Sequence, residues 1–93
     1  MAKVYINDAN TDILLDCGRD VSTAMLREIN VLKPNGDQEV WPAFLSGTNL
    51  IGYTTNADTF DMAGTWKLQA HIIIGQGEWR GETATLTVYA PFN

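Results

Sequence analysis

The sequence predicts an all-β domain: an antiparallel β-sandwich of about seven short strands filling residues 1–93. Three observations carry that expectation. Apolar residues recur at a spacing of two along most of the chain, the period of a half-buried strand. Turn-forming pairs interrupt these runs roughly every 8–12 residues. No helical stripe is long enough to build an α/β layer. A chain of 93 residues makes one domain. Its 45% apolar and 10% aromatic content supplies one core without staples, although a domain of this size buries only about 60–65% of its unfolded surface.

Taken in order, Val4 and Ile6 alternate with Lys3, Tyr5 and Asn7 as a first strand. Ile13 and Leu15 alternate with Asp12, Leu14 and Asp16 as a second. Asp16 to Asp20 reads as a loop, with Asp20 placed to cap a turn that starts near Val21. Val21 to Leu26 is one of two places where a helical turn is allowed. From Leu26 to Lys33 a third strand puts Ile29 and Val31 on one face. Pro34-Asn35-Gly36-Asp37 follows, and Asn-Gly between two β runs signals a hairpin with a primed turn, which needs positive φ at both central residues.

The return strand runs from Gln38 to Leu45, with Trp41, Ala43 and Leu45 in phase. After Ser46-Gly47, a strand from Asn49 to Thr55 places Ile51 and Tyr53 together. Asn56 to Gly64 is a connection and the second place for a helical turn. Thr65 to Ile74 alternates Trp66, Leu68, Ala70, Ile72 and Ile74 inward. Gly75 to Glu78 turns the chain, and Trp79 to Tyr89 returns with Ala84, Leu86 and Val88 in phase. Pro91 ends the ladder.

The formal charge of −5 comes from eleven acids against six bases, and the bases form no cluster. Nucleic-acid binding draws on Lys and Arg that release counterions from phosphate, and attraction to anionic lipid draws on polybasic segments. Neither partner is therefore expected. The N-terminus lacks an apolar signal core, and no apolar stretch approaches a membrane span of about 18 residues. With the single Cys17 there is no internal disulfide, and the chain is expected to fold in a cytoplasm.

Asp8, Asp12, Asp16 and Asp20 fall at every fourth position, and Asp8-x-Asn10-x-Asp12 has the opening of a calcium loop. Such a loop needs Gly at its sixth position for the sharp turn and Glu at its twelfth for two oxygens. Ile13 and Arg19 stand there instead. The acids read as strand ends and turns, with no metal and no cofactor implied. Cys17 has no partner cysteine and no local histidine, whereas a nucleophile needs a lowered pKa and a base. The sole histidine, His71, points outward from a central strand. No Gly-x-Ser-x-Gly elbow presents a serine, so the chain reads as a non-enzyme.

Trp41 and Trp66 fall on core phases. Trp79 lies beside the Gly75–Gly77 turn, either exposed as a platform for a sugar ring or closing the end of the sandwich. Val40, Phe44, Leu32, Leu50 and Ile73 are apolar but out of phase. They mark either a register shift or an outer face covered by another chain. Pro42 cannot donate to a ladder and places its strand at an edge or at a bulge. The candidate interface is an outer face built around Val40, Phe44 and Ile73, with Trp79 as a further contact.

Asp61-Met62-Ala63-Gly64-Thr65-Trp66-Lys67-Leu68 resembles the corner-then-strand pattern Asp-x-Ala/Gly-x-Tyr of immunoglobulin-like domains. Trp66 holds the aromatic place, and Leu68 stands where disulfide-bonded antibody-type domains carry a cysteine. Four elements together span nearly the full chain: the Asp16-x-Gly18-x-Asp20-Val21-Ser22 turn, the Lys33-Pro34-Asn35-Gly36 hairpin followed by Trp41, the Tyr53-Thr54-Thr55 strand, and Ala63-Gly64-Thr65-Trp66-Lys67-Leu68-Gln69. Their order is similar to small proteins of tailed-phage and prophage structural gene clusters, and to the N-terminal domain of phage baseplate upper proteins.

The resemblance implies an Ig-like sandwich used as a virion building block, without catalytic residues. Its partners would be other tail, baseplate or capsid subunits, or a second copy. It would be made in the bacterial host cytoplasm and reside in the virion. Baseplate proteins continue into further domains beyond this one, so a chain ending at Asn93 is expected to be a stand-alone module. The alternative is a surface module that recognises a host glycan or protein through Trp79 and nearby loops. A third reading is an enzyme around Cys17 and His71.

Overall fold

A computed structural model of the protein describes residues 4–92. Every regular element among them is a strand: β1 (Val4–Tyr5), β2 (Asp12–Asp16), β3 (Leu26–Leu32), β4 (Gln38–Pro42), β5 (Phe44–Ser46), β6 (Leu50–Thr54), β7 (Gly64–Ile74), β8 (Gly77–Arg80) and β9 (Ala84–Tyr89). Nine strands replace the expected seven because two of the predicted runs divide.

The first division falls at Ala43. The Ala43 N–H still donates to Arg27 O of β3, but Phe44 pairs with Gly52 of β6. The chain thus leaves one sheet and joins the other within a single residue. Pro42, which has no N–H to give a ladder, ends the first pairing. The second division separates β8 from β9. β8 pairs with the last third of β7, and β9 with its first part. Gly81 bridges the step: its N–H donates to Ala70 O and its carbonyl accepts from Gln69 Nε2.

One sheet has the order β1-β9-β7-β3-β4, with β8 also on β7; the other is β2-β6-β5. All pairings are antiparallel except β1 with β9, which runs parallel through Val4↔Val88 and Tyr5↔Tyr89.

The β3–β4 hairpin departs from the expected primed turn. Gly36 N–H donates to Lys33 O, and Gly36 takes φ 94° while Asn35 stays at negative φ. Pro34 fixes φ near −65°, which suits the first central position of a type I turn over Lys33–Gly36, and the negative φ of Asn35 excludes the primed turn. The β7–β8 turn carries Gly75 at φ 59° in its first central position, the type II′ requirement. Neither allowed helical turn forms. Ala24 N–H returns to Val21 O, and Asp20 Oδ1 accepts from the Ser22 N–H and hydroxyl in an Asx turn.

Period-two burial places the core as expected. Ile29, Val31, Trp41, Ile51, Trp66, Leu68, Ala70, Ile72 and Val88 are all buried between the sheets. Two loop residues join them: Val21 and Phe60 are wholly buried. Phe60 meets Trp66 edge-to-face at 5.3 Å and Trp41 at 6.0 Å, while Trp41 stacks on Tyr53 at 4.7 Å. This aromatic chain spans both sheets, and burying one such ring is worth about 1.5–3 kcal/mol. Trp66 gives its indole N–H to Met62 O at 3.1 Å, so the buried donor is satisfied.

Below the cluster, Lys33 is buried against the Trp66 ring. Its ammonium pairs with Asp61 at 2.9 Å and Glu39 at 3.5 Å, which pushes the Lys33 pKa up, mainly through the Asp61 bond. Gly64 closes this end. Its φ is 134°, and a Cβ there would meet Pro34 at 2.7 Å.

Candidate functional site

Cross-strand register arranges the outer face of the large sheet in rows, of which four lie along the β3–β7 pairing. Gln38, Leu32, Lys67 and Thr85 form the first. Val40, Asn30 and Gln69 form the second. Pro42, Glu28, His71 and Arg80 form the third, and Leu26, Ile73 and Glu78 the fourth.

His71 stands on this outer face, as its phase requires, yet it is only 8% exposed. Two carboxylates cover it. Nδ1 lies 2.6 Å from Glu28 Oε1 of β3, and Nε2 lies 2.8 Å from Glu78 Oε2 of β8. Ionised carboxylates only accept, so this placement offers an acceptor to each ring nitrogen and favours the imidazolium. Glu28, then Glu78, raises the His71 pKa, and His71 in turn lowers that of Glu78. The triad fastens the short β8 to the two central strands.

Both His71 nitrogens are thus taken, and neither serves Cys17. Burial, and then the neighbouring Asp16 carboxylate, raises the Cys17 pKa, the opposite of what an attacking thiolate needs. The four N-terminal aspartates each serve a local partner. Asp8 accepts from Tyr5 N, Asp12 from the Thr54 hydroxyl, Asp16 from Gly18 N and Asn49 Nδ2, and Asp20 from Ser22.

The proposed interface residues do not form one surface. Val40 is 57% exposed on the large sheet. Phe44 lies on the small sheet, because the chain changes sheets at Ala43. Ile73 is half-buried two rows from Val40, between Leu26 and Glu78. Trp79 pairs with Ile72 and so takes the inner phase of β8. It is 37% exposed, with Arg19 stacked 4.4 Å above its ring.

What Phe44 does join is a row across the small sheet. Phe44 and Leu14 are both cross-strand neighbours of Gly52. They lean over it from either side: a Cβ on Gly52 would meet Leu14 Cδ2 at 2.6 Å and the Phe44 ring at 2.7 Å. Leu14 is 48% and Phe44 41% exposed. The glycine lets two apolar side chains close into one continuous strip.

The chain matches no protein family, no curated protein and no solved structure. Its function must therefore be argued from these surfaces. Sequence reasoning found Phe44 but not Leu14, its partner across Gly52, and found His71 but not Glu28 and Glu78. The one available signal was the lone glycine inside an apolar strand, which marks a close approach.

Proposed function

We propose that this chain is a non-enzymatic association module: an immunoglobulin-type sandwich built into the virion of a phage or prophage. Two features support the immunoglobulin assignment. The sheet order, β1-β9-β7-β3-β4 facing β2-β6-β5, has its first and last strands parallel. The Trp66 indole bonds back to a carbonyl four residues upstream, as the phenol of a tyrosine corner does. The phage assignment rests on the sequence resemblance.

The observation that carries an association role is the Leu14–Gly52–Phe44 strip. Its occupant is a neighbouring virion subunit. A stable free dimer buries about 800 Å² per partner, and two half-exposed side chains are far smaller than that. A contact of this size works when many copies are held in one lattice, where linked contacts multiply. The chain is therefore monomeric when purified alone.

The test is to purify particles from a host that carries the gene and quantify this chain by mass spectrometry. Incorporation at a fixed ratio to a capsid or tail subunit, lost in Leu14→Glu/Phe44→Glu, is the expected result. Recovery of the wild-type chain only outside the particles overturns the reading.

A further inference from the structure

Three of the five cationic side chains among the described residues are committed. Arg19 stacks on Trp79, Arg27 donates to the Val21 and Ser22 carbonyls, and Lys33 is buried with Asp61 and Glu39. Lys67 and Arg80 differ. Lys67 has no ion pair or hydrogen bond among the described residues, and Arg80 meets only Glu78, at 3.9 Å with both side chains half-exposed. Both border one groove of about 440 Å³ on the outer face of the large sheet.

The remaining lining fits the same purpose. Asn30 and Gln69 face each other in register on the floor, and Gln38 stands at one end. Gln69 spends its amino group on Gly81 O and keeps its carbonyl free. Val40 supplies an exposed apolar wall. Glu39 also borders the groove, but its oxygens are taken by Lys33 and the Trp41 indole.

We infer that this groove binds an extended acidic peptide segment of a partner protein. Amide side chains suit the alternating N–H and C=O groups of an extended backbone, Val40 takes an apolar side chain, and Lys67 and Arg80 take carboxylates. The volume lies in the range of ligand clefts. A sugar is disfavoured because no aromatic ring borders the groove. Two cations also fall short of the phosphate neutralisation that nucleic acid demands. The groove lies on the sheet opposite the Leu14–Phe44 strip, so this inference and the virion reading fail separately.

The test is an NMR titration of the ¹⁵N-labelled protein with a blocked peptide of alternating Glu and Val at low ionic strength. Its Gln-for-Glu counterpart and an oligogalacturonate are run in parallel. Shifts confined to Asn30, Val40, Lys67 and Gln69, with affinity about tenfold lower in Lys67→Gln/Arg80→Gln and unchanged in Arg19→Gln, are expected. Both altered side chains are solvent-facing, and a matching amide spectrum verifies the fold; Lys67→Gln alone gives a second reading with a smaller loss. The inference is overturned by equal binding of the Gln peptide, undiminished affinity in the double variant, shifts elsewhere, or preference for the oligogalacturonate. No binding by the acidic peptide overturns it too.

Discussion

His71 and Glu28 face each other across the β3–β7 pairing, with Nδ1 and Oε1 2.6 Å apart. Glu78 on β8 holds the other ring nitrogen. Two acceptors favour the protonated form of the histidine, which joins three strands. The groups that face it are Glu28 on β3 and Glu78 and Arg80 on β8.

That arrangement sets a pH dependence of stability. The folded His71 pKa is raised, so its contribution is fully present below the ordinary imidazole value of about 6.5 and is lost as pH rises through the raised value. Glu78 has a lowered pKa, so its contribution is present above the ordinary carboxylate value of about 4.3 and is lost as pH falls through the lowered one. Urea midpoints should therefore peak between these limits and decline on the alkaline side. His71→Gln should flatten the alkaline limb and cost about 1–2 kcal/mol at the maximum. An unchanged alkaline limb in that variant would remove His71 as its cause.

Phe60→Ala should be among the most damaging single changes. The ring is wholly buried between Trp41 and Trp66. Truncation opens a cavity at the junction of both sheets, at about 3–5 kcal/mol. A small domain has a total stability of about 5–15 kcal/mol, so a large share is lost. Chemical denaturation followed by tryptophan fluorescence measures it, and a loss below about 1 kcal/mol would mean that the loop collapses to fill the space.

Why Phe60 was missed shows where the sequence stopped being legible. Strand interiors declare themselves through alternation, and Trp66 to Ile72 was read correctly because each second residue is apolar. Phe60 and Val21 lie in irregular segments, where no period says which side chain turns inward. Cross-strand partners were hidden for a related reason. Nothing in the order of residues says that Glu28 will lie opposite His71, or Leu14 opposite Gly52, until register is fixed by pairing. The same ignorance grouped Val40 with Phe44: four residues apart share a phase only if the strand continues, and this one changes sheets at Ala43. Pro42 was visible as an edge signal, but its outcome, a crossing from one sheet to the other, was not.

Gly64→Ala should destabilise for two separable reasons. The φ of 134° strains any L side chain, and the new methyl would meet Pro34 at 2.7 Å. Backbone strain of this kind costs roughly 1–3 kcal/mol. In a domain of this size each 1 kcal/mol lowers Tm by about 4–8 °C. The atoms in the way are Pro34 Cβ and Cγ, so adding Pro34→Gly should remove the collision but not the strain, and the double variant should recover only part of the lost Tm. Full recovery would assign the whole effect to the contact.

Gly52→Ala distinguishes folding from association. Its new methyl would collide with Leu14 Cδ2 and the Phe44 ring. Both are the far ends of half-exposed side chains that can swing into water, so the collision is relieved without disturbing the core. A strand interior also favours alanine over glycine by about 0.5–1 kcal/mol. The two effects oppose, and the denaturation midpoint should move by less than about 1 kcal/mol. The strip, however, is split: Leu14 and Phe44 can no longer close over the strand between them. Incorporation of the chain into particles should fall at least as far as it does in Phe44→Ala, with near-native stability. If Gly52→Ala assembles normally, the strip is not the contact; if it unfolds, the two side chains are held more firmly than their exposure implies.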